Sequence, residues 1–169
     1  MTDIVRAAWG AVIQPDEATS YWQPLPSSGY VTVSLSPANT PYDSFSAGTQ
    51  VLPPGRHVRE HGHRQNHELV FIYEGEGRCE IEGVSHPLRP GTTVLFGRHA
   101  RHIIENTGSV DMKLHWVFFP PGLEDWFAAI GRRRQPGEPM PEPFQRPDNV
   151  AAIQEQMRFV PPRSQDPSR

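Results

Sequence analysis

The sequence has one cysteine, Cys79, among its 169 residues. A single cysteine excludes an intramolecular disulfide framework and is typical of proteins of the reducing cytoplasm. The sequence also lacks an apolar run of about 18 residues, the length that a membrane-spanning helix requires. The first residues contain no basic stretch followed by an apolar one, so we expect no signal peptide. These absences predict a cytoplasmic protein without membrane contacts.

Positive charge is not in excess either. The formal net charge is -3 and the sequence pI is about 6.2, so no broad basic surface for nucleic acid or anionic lipid is predicted. The one basic cluster, 132–134, lies in a proline-rich stretch and is expected to be a solvated loop. No helix-turn-helix pattern is found, and a small molecule is therefore the expected partner.

Proline and glycine are abundant, with 19 and 14 residues. They separate short segments that alternate between apolar and polar residues, a pattern that predicts many short strands joined by turns. No helical pattern interrupts these strands, so an antiparallel sandwich or barrel is expected. The predicted strands are 30–37, 45–55, 57–63, 67–75, 78–83, 92–96, 101–106 and 111–119.

The chain changes character after residue 120. An apolar residue recurs at helical spacing over 123–130, which predicts a short amphipathic helix, and a second short helix is predicted over 148–157. We therefore predict three segments. These are an N-terminal wrapping segment with one strand (1–44), a β core (45–119), and a C-terminal part with the two helices and a disordered tail (120–169).

A histidine-rich stretch, HGHRQNHELVFIYEGEG, occupies residues 61–77. His61 and His63 are two residues apart in a predicted strand, so their side chains share a face. Antiparallel pairing would return Glu68 beside them, and His102 begins a later strand. Two imidazoles and a carboxylate suit non-haem Fe(II) and also hold Mn, Ni, Cu or Zn. We predict one divalent transition metal per chain, with Fe(II) as the first choice.

These residues resemble the two sequence motifs of the cupin superfamily. The first motif is matched at every position, by Gly55, His61, His63, Glu68 and Gly75. The resemblance covers about residues 45–119 and implies a single small antiparallel β-barrel, or jelly roll, with the metal inside.

The second motif is matched in part. Gly91, His102 and Asn106 agree with it, but Gly97 replaces the usual proline and His99 replaces the usual glycine. Both departures lie in the turn before the fourth ligand, so the ligand itself is kept while the turn shape and an added imidazole are open questions.

The predicted pocket is mostly aliphatic, as suits a flat apolar substrate. Strand parity places Arg59 on the face of His61, where a guanidinium could meet a carboxylate or phenolate. We also consider Trp116 and Phe118 as lining residues. The remaining predicted pocket residues are Val70, Ile72, Ile81 and Ile104.

The reaction is left open among three classes, because cupins include several kinds of enzyme and also non-enzymes. The first is a mononuclear metal dioxygenase that acts on a small enolic or aromatic compound, similar to quercetinase-type cupins. The second is a redox-neutral isomerase, epimerase or lyase, and the third is a binding protein without chemistry. Glu68 would serve as ligand or base, and His99 and His115 are the candidates for proton transfer. The C-terminal helices could form a lid.

The strand 67–75 is apolar on both faces. Val70 and Ile72 share the face of Glu68, whereas Leu69 and Phe71 lie on the other. A strand of this kind must be covered on both sides. Either the N-terminal segment and the C-terminal helices provide this cover, or a second subunit does. Since small cupins commonly form dimers, the resemblance favours the second option in part, and a homodimer is predicted.

Overall fold

The computed structural model describes residues 10–163, and residues 1–9 and 164–169 lie outside the described part. Twelve strands and two short helices occur in it, and all strand pairs are antiparallel. The strands are β1 Thr19–Trp22, β2 Tyr30–Leu35, β3 Ser46–Leu52, β4 His57–His63, β5 His67–Glu74, β6 Gly77–Ile81, β7 Val84–Leu88, β8 Thr93–Phe96, β9 His102–Asn106, β10 Met112–Phe119, β11 Arg132–Arg134 and β12 Phe159–Val160. The helices are α1 Leu123–Ile130 and α2 Val150–Gln156.

The strands form two sheets. One has seven strands in the order β11-β1-β2-β3-β10-β5-β8, and the other has five in the order β12-β4-β9-β6-β7. The predicted mainly β, antiparallel class is confirmed. Within residues 10–163 the ladders give a two-sheet sandwich of jelly-roll type, and no ladder joins the edge strands β7 and β8 to close it into a barrel.

The core lies between the two sheets. Burial alternates strictly along β10, where the even-numbered residues Met112 to Phe118 are buried and the odd-numbered ones are not. The same alternation occurs in β9, as expected for strands with one face on a core. Val70, Ile72 and Ile104 join this core from the neighbouring strands.

Two parts of the N- and C-terminal segments differ from the prediction. The N-terminal segment contributes two strands, β1 and β2, not one. The basic cluster is not a solvated loop, because 132–134 form β11 and pair with β1. Stacking accounts for the difference: the guanidinium of Arg132 lies 4.0 Å from the ring centre of Phe144, and that of Arg134 lies 4.0 Å from that of Tyr30.

The C-terminal part returns to the five-stranded sheet. Strand β12 pairs with β4, with Phe159 opposite His63. Beyond it, Arg101 Nε donates to the carbonyl of Pro161 at 3.0 Å, and the backbone N–H of Arg163 donates to Glu60 at 2.6 Å. The predicted tail therefore begins with packed residues up to 163, and its remainder lies outside the described residues, as does the start of the N-terminal wrapping segment. No helix in the described part is long and apolar enough to cross a membrane.

Candidate metal centre

Four side chains from three strands meet between the sheets. His61 and His63 come from β4, Glu68 from the start of β5, and His102 from the start of β9. One nitrogen or oxygen of each lies within 4.8 Å of the others. Pairing explains the convergence, because His61 lies opposite His102 across the β4–β9 ladder. The structure thus brings together all four predicted ligands.

Backbone carbonyls fix the orientation of two of the imidazoles. Nδ1 of His61 lies 2.8 Å from the carbonyl oxygen of Arg59, and Nδ1 of His102 lies 3.0 Å from that of Ala100. Since a carbonyl only accepts, each Nδ1 carries the proton and each Nε2 keeps its lone pair. This is the outer hydrogen bond that metal-bound histidines usually make.

Glu68 is the centre of the hydrogen-bonding group. Its Oε2 lies 3.1 Å from Nε2 of His63 and 3.3 Å from Nε2 of His102. Burial alone would raise the pKa of this carboxyl group, but the adjacent imidazoles of His102 and His63 outweigh it, so the pKa lies below its usual value. Glu68 is therefore ionised at neutral pH.

The surroundings of His61 and His63 disfavour their protonation. Burial, followed by the neighbouring imidazoles, places the pKa of His61 well below its ordinary value, and burial also lowers that of His63. Aromatic rings supply much of this apolar shell. Phe96 stacks on His102 at 3.8 Å, and Phe118 meets the ring of His63 edge-on at 4.6 Å. Neutral imidazoles are the form that binds a metal.

The donor set fits a divalent transition metal. Nε2 of His102 is buried and has no well-directed hydrogen-bond partner among the described residues, although Glu68 lies close to it. Two ligands about 2.1 Å from a metal are at most about 4.2 Å apart, so the group needs only a small contraction. Three imidazoles and one carboxylate suit Fe, Mn, Ni, Cu and Zn alike, and all four would act as ligands.

A β-bulge determines which side chains of β4 face the centre. The β4–β9 register shifts between Val58 and His61, so Val58 and His61 line the same cavity although they differ in parity. Arg59 is consequently exposed and lies at an outer cavity instead. The prediction that strict alternation holds along this strand was wrong, because a bulge shifts every later side chain to the other face.

Two adjoining cavities lie beside the metal ligands. The inner cavity has a volume of about 40 Å³ and is lined by His61, Glu68 and Ile104 among others. The outer cavity has about 170 Å³ and is lined by Arg59 and Glu60 among others. Residues common to both are Val58, His61, Trp126 and Arg146.

The other predicted pocket residues lie elsewhere. Val70 and Ile72 are fully buried in the core. Ile81 lines a separate cleft between β6, β7 and β8. Of the predicted lining residues, Ile104 lines the inner cavity, Arg59 lines the outer one, and Phe118 meets the ring of His63.

The two histidines predicted for proton transfer are not brought to the ligands. His99 is exposed in the turn before β9, where its backbone has a φ of 66° and its N–H donates to the carbonyl of His63 at 2.8 Å. His99 therefore adopts the left-handed backbone conformation of this turn, which glycine adopts more readily. His115 lies on the outer face of β10, and burial lowers its pKa.

Sequence reasoning missed the residues that close the site. The ring of Phe159 packs against those of His61, His63 and Trp126, with centroid distances of 5.5, 5.0 and 4.8 Å. Arg146 comes from the proline-rich segment before α2, and its guanidinium lies 5.6 Å from the ring centre of Trp126. No periodicity marks these positions. The one available signal is Trp126, which lies on the apolar face of the predicted helix 123–130.

Comparison with known proteins agrees with this geometry. Residues 48–118 match the family model of the cupin domain. Protein SchB of Streptomyces halstedii is 34% identical over 86 residues, covering 51% of this chain and 62% of that protein. L-ectoine synthase of Vibrio parahaemolyticus is 38% identical over 63 residues, covering 36% of this chain and 49% of that protein. The chain thus spans about half to three fifths of the length of these relatives.

Solved structures show the same architecture. A predicted oxalate decarboxylase from Thermotoga maritima is 26% identical with a TM-score of 0.55, covering 64% of this chain and 98% of that one. KdgF from Halomonas sp. has a TM-score of 0.59 at 17% identity, covering 69% and 99%, which shows the fold alone. The two-sheet fold and the motif residues agree with the match of residues 48–118 to the cupin domain.

Proposed function

We propose that this protein is a metal-dependent cupin enzyme that acts on a small molecule held beside His61, His63, Glu68 and His102. The observation that carries the proposal is the convergence of these four donor atoms within 4.8 Å at the wall of a cavity. A bound divalent metal would polarise an oxygen of the substrate and lower the pKa of a bound hydroxyl or water.

The chain's own residues have separable tasks. Glu68 is ionised at neutral pH, is hydrogen-bonded to His63 and lies 3.3 Å from Nε2 of His102, and its lowered pKa favours a role as ligand over one as general base. Phe159 and Trp126 are almost fully buried and close the space beside His61. They would exclude water from the substrate, which strengthens electrostatic interactions there.

A mononuclear dioxygenase that acts on a small enolic or aromatic compound is our leading candidate. The aromatic and aliphatic lining of the inner cavity supports it, since Trp126, Phe127 and Ile104 offer flat apolar contacts. The test is anaerobic loading with Fe(II), followed by oxygen-uptake measurements with a panel of enols and phenols. We expect uptake that requires both metal and substrate, and no uptake in the His61→Ala, His63→Ala variant.

A redox-neutral metal enzyme is the second candidate. It is supported by the likeness of this chain to an L-ectoine synthase and to a predicted oxalate decarboxylase, names that describe no oxygen insertion. Substrate turnover by the Zn(II)-loaded protein without oxygen would favour this class. A metal-loaded protein that binds members of the panel but converts none would favour the third class, a binding protein.

We further propose that the protein forms a homodimer through the outer face of β5 and β8. Phe71 and Leu95 are 43% and 59% exposed there, on adjacent strands, and β8 is the edge of its sheet. A second copy would cover this apolar face. Light scattering should give twice the chain mass, and the monomer mass for Phe71→Glu, Leu95→Glu. Val84→Glu, which changes an exposed apolar residue of β7, should leave the dimer intact. The cytoplasmic location stays a prediction.

A further inference from the structure

The C-terminal segment places an unpaired cation beside the metal ligands. Arg146 lines both the inner and the outer cavity, together with His61. Within residues 10–163 its guanidinium makes no ion pair and no hydrogen bond, and its Nε is buried without a partner. Its one ring contact is with Trp126, which leaves the hydrogen-bonding fork unused.

The surrounding charges favour an anion at this position. Arg59 lines the same outer cavity and also lacks an ion pair in the described part of the chain. Glu60, the carboxylate that lines the outer cavity with them, is already engaged, because it accepts from the backbone N–H of Arg163 at 2.6 Å and lies 3.5 Å from its Nε. Desolvation and the charge of Arg59 lower the pKa of Arg146 to about 10, so the guanidinium is still charged at neutral pH.

Two unneutralised guanidinium groups in a partly desolvated space are unfavourable unless an anion joins them. The guanidinium of Arg146 presents parallel N–H groups that match a planar carboxylate in bidentate fashion. The volumes of about 40 and 170 Å³ admit only a small molecule. Val58 and Trp126 supply nonpolar walls, and the guanidinium of Arg146 supplies a cationic group at the inner cavity, beside the neutral polar side chains of Gln23, Ser27 and Gln50.

We propose that the substrate is a small carboxylic acid, bound with its carboxylate on Arg146 and a second oxygen directed to the metal ligands. This inference rests on the proposed function and specifies its substrate class. Arg146 is thereby a specificity-determining residue, which fixes the end of the molecule that must stay away from the metal. Arg59 stabilises the same carboxylate from the outer cavity.

The test measures the binding of pyruvate and of its uncharged ester, methyl pyruvate, to the Zn(II)-loaded and the metal-free full-length protein by calorimetry. We expect pyruvate to bind and the ester to bind at least about 10-fold more weakly, since the ester cannot form the charged hydrogen bonds. Arg146→Gln should weaken pyruvate binding by about 10- to 100-fold. Arg146→Lys, which keeps the charge but not the fork, should lose less.

The matched control is Arg89→Gln, an exposed arginine of the turn before β8, which should bind pyruvate like the unaltered protein. Thermal unfolding of each variant checks that it is folded. Equal binding of pyruvate and ester, or equal binding by the unaltered protein and folded Arg146→Gln, would overturn the inference. Tighter Arg146-dependent binding of inorganic phosphate than of pyruvate would overturn the choice of carboxylate.

The same measurement separates the two proposals. Stoichiometric Zn(II) binding without Arg146-dependent pyruvate binding would leave the metal enzyme standing and remove the carboxylate site. Arg146-dependent pyruvate binding by a protein that holds no Zn(II) would do the reverse.

Discussion

In the described part of the chain, two openings of the sandwich differ both in size and in the chemistry of their walls. The cleft between the edge strands β7 and β8 is the larger, at about 410 Å³, and is lined mainly by apolar side chains such as Ile81, Leu88 and Val94. The inner cavity at the other opening has only about 40 Å³, yet His61 and Glu68 form part of its wall. Volume therefore does not identify the site. Convergent polar groups with shifted pKa values do.

The largest expected difference between the two openings is in metal binding. His61→Ala, His63→Ala removes two of four ligands, so the purified protein should lose its metal entirely. Elemental analysis of the purified protein should give about one metal per chain before the change and none after it.

His86→Ala is the control for this experiment, since it removes an exposed imidazole from the cleft and should keep the metal. If His86→Ala abolished binding, or the double variant kept it, the assignment of the site to the inner cavity would be wrong.

The next largest expected effect is a loss of stability when the C-terminal side chain that covers the ligands is shortened. Phe159 is 7% exposed and contacts both histidines of β4, so Phe159→Ala should lower the free energy of unfolding by about 3 kcal/mol. Urea denaturation of the metal-free protein measures it. Val84→Ala, at an exposed position of the cleft side, should change it by less than about 0.5 kcal/mol. Similar losses in both variants would mean that the C-terminal segment does not seal the site.

The pH dependence of stability should report on the buried histidines of the inner cavity without any mutation. The imidazole pKa is about 6.5 in an unfolded chain, whereas burial lowers the pKa of His61 and His63 in the folded one. Below that pH the unfolded chain binds more protons. The free energy of unfolding of metal-free protein should therefore fall by about 1.4 kcal/mol per pH unit for each proton as the pH drops from about 6.5 to about 5.

The titration of Glu68 falls in a different pH range from that of the histidines. Its folded pKa lies below the usual carboxyl value, so the stability it provides is complete above about pH 4.5 and is lost only below it. The His61→Ala, His63→Ala variant should show a flatter pH dependence in urea denaturation. An unchanged slope would assign the titration to other groups.

The smallest expected effect on stability is that of a substitution at the cleft between β7 and β8. Cys79 is 1% exposed and packs in the core beside Ile104, and burial raises the pKa of its thiol. Cys79→Ala should cost about 1 kcal/mol through the small cavity it leaves, measured by urea denaturation, with metal content unchanged. Loss of metal in this variant would mean that the cleft and the inner cavity are coupled, although they share no lining residue.

The local sequence pattern was sufficient to predict the central strands. Every strand predicted from residue 30 to residue 119 occurs within a few residues of its expected bounds, and α1 spans the predicted 123–130. These elements carry strong periodicity and end at glycine or proline. Gly75 illustrates the point: its φ is 76°, and a Cβ there would lie 2.6 Å from the carbonyl oxygen of Asp111, so only glycine allows this turn.

Strands held by long-range partners were not predictable in the same way. β11 and β12 have three and two residues, too few for a period to emerge. β7 was missed because Pro87 lies within it, and proline inside a strand argues against one unless the strand is at an edge, as β7 is.

The sequence by itself determined the cupin motifs, the four ligands and the strands that hold them, because histidine spacing and alternation are local properties of the chain. Tertiary structure alone decided what surrounds those ligands. The bulge in β4 exchanged Arg59 for Val58 at the inner cavity, and the return of the C-terminal segment placed Arg146 and Phe159 there. Such contacts join residues about a hundred positions apart, and their geometry follows from packing between whole sheets, which no short stretch of sequence encodes.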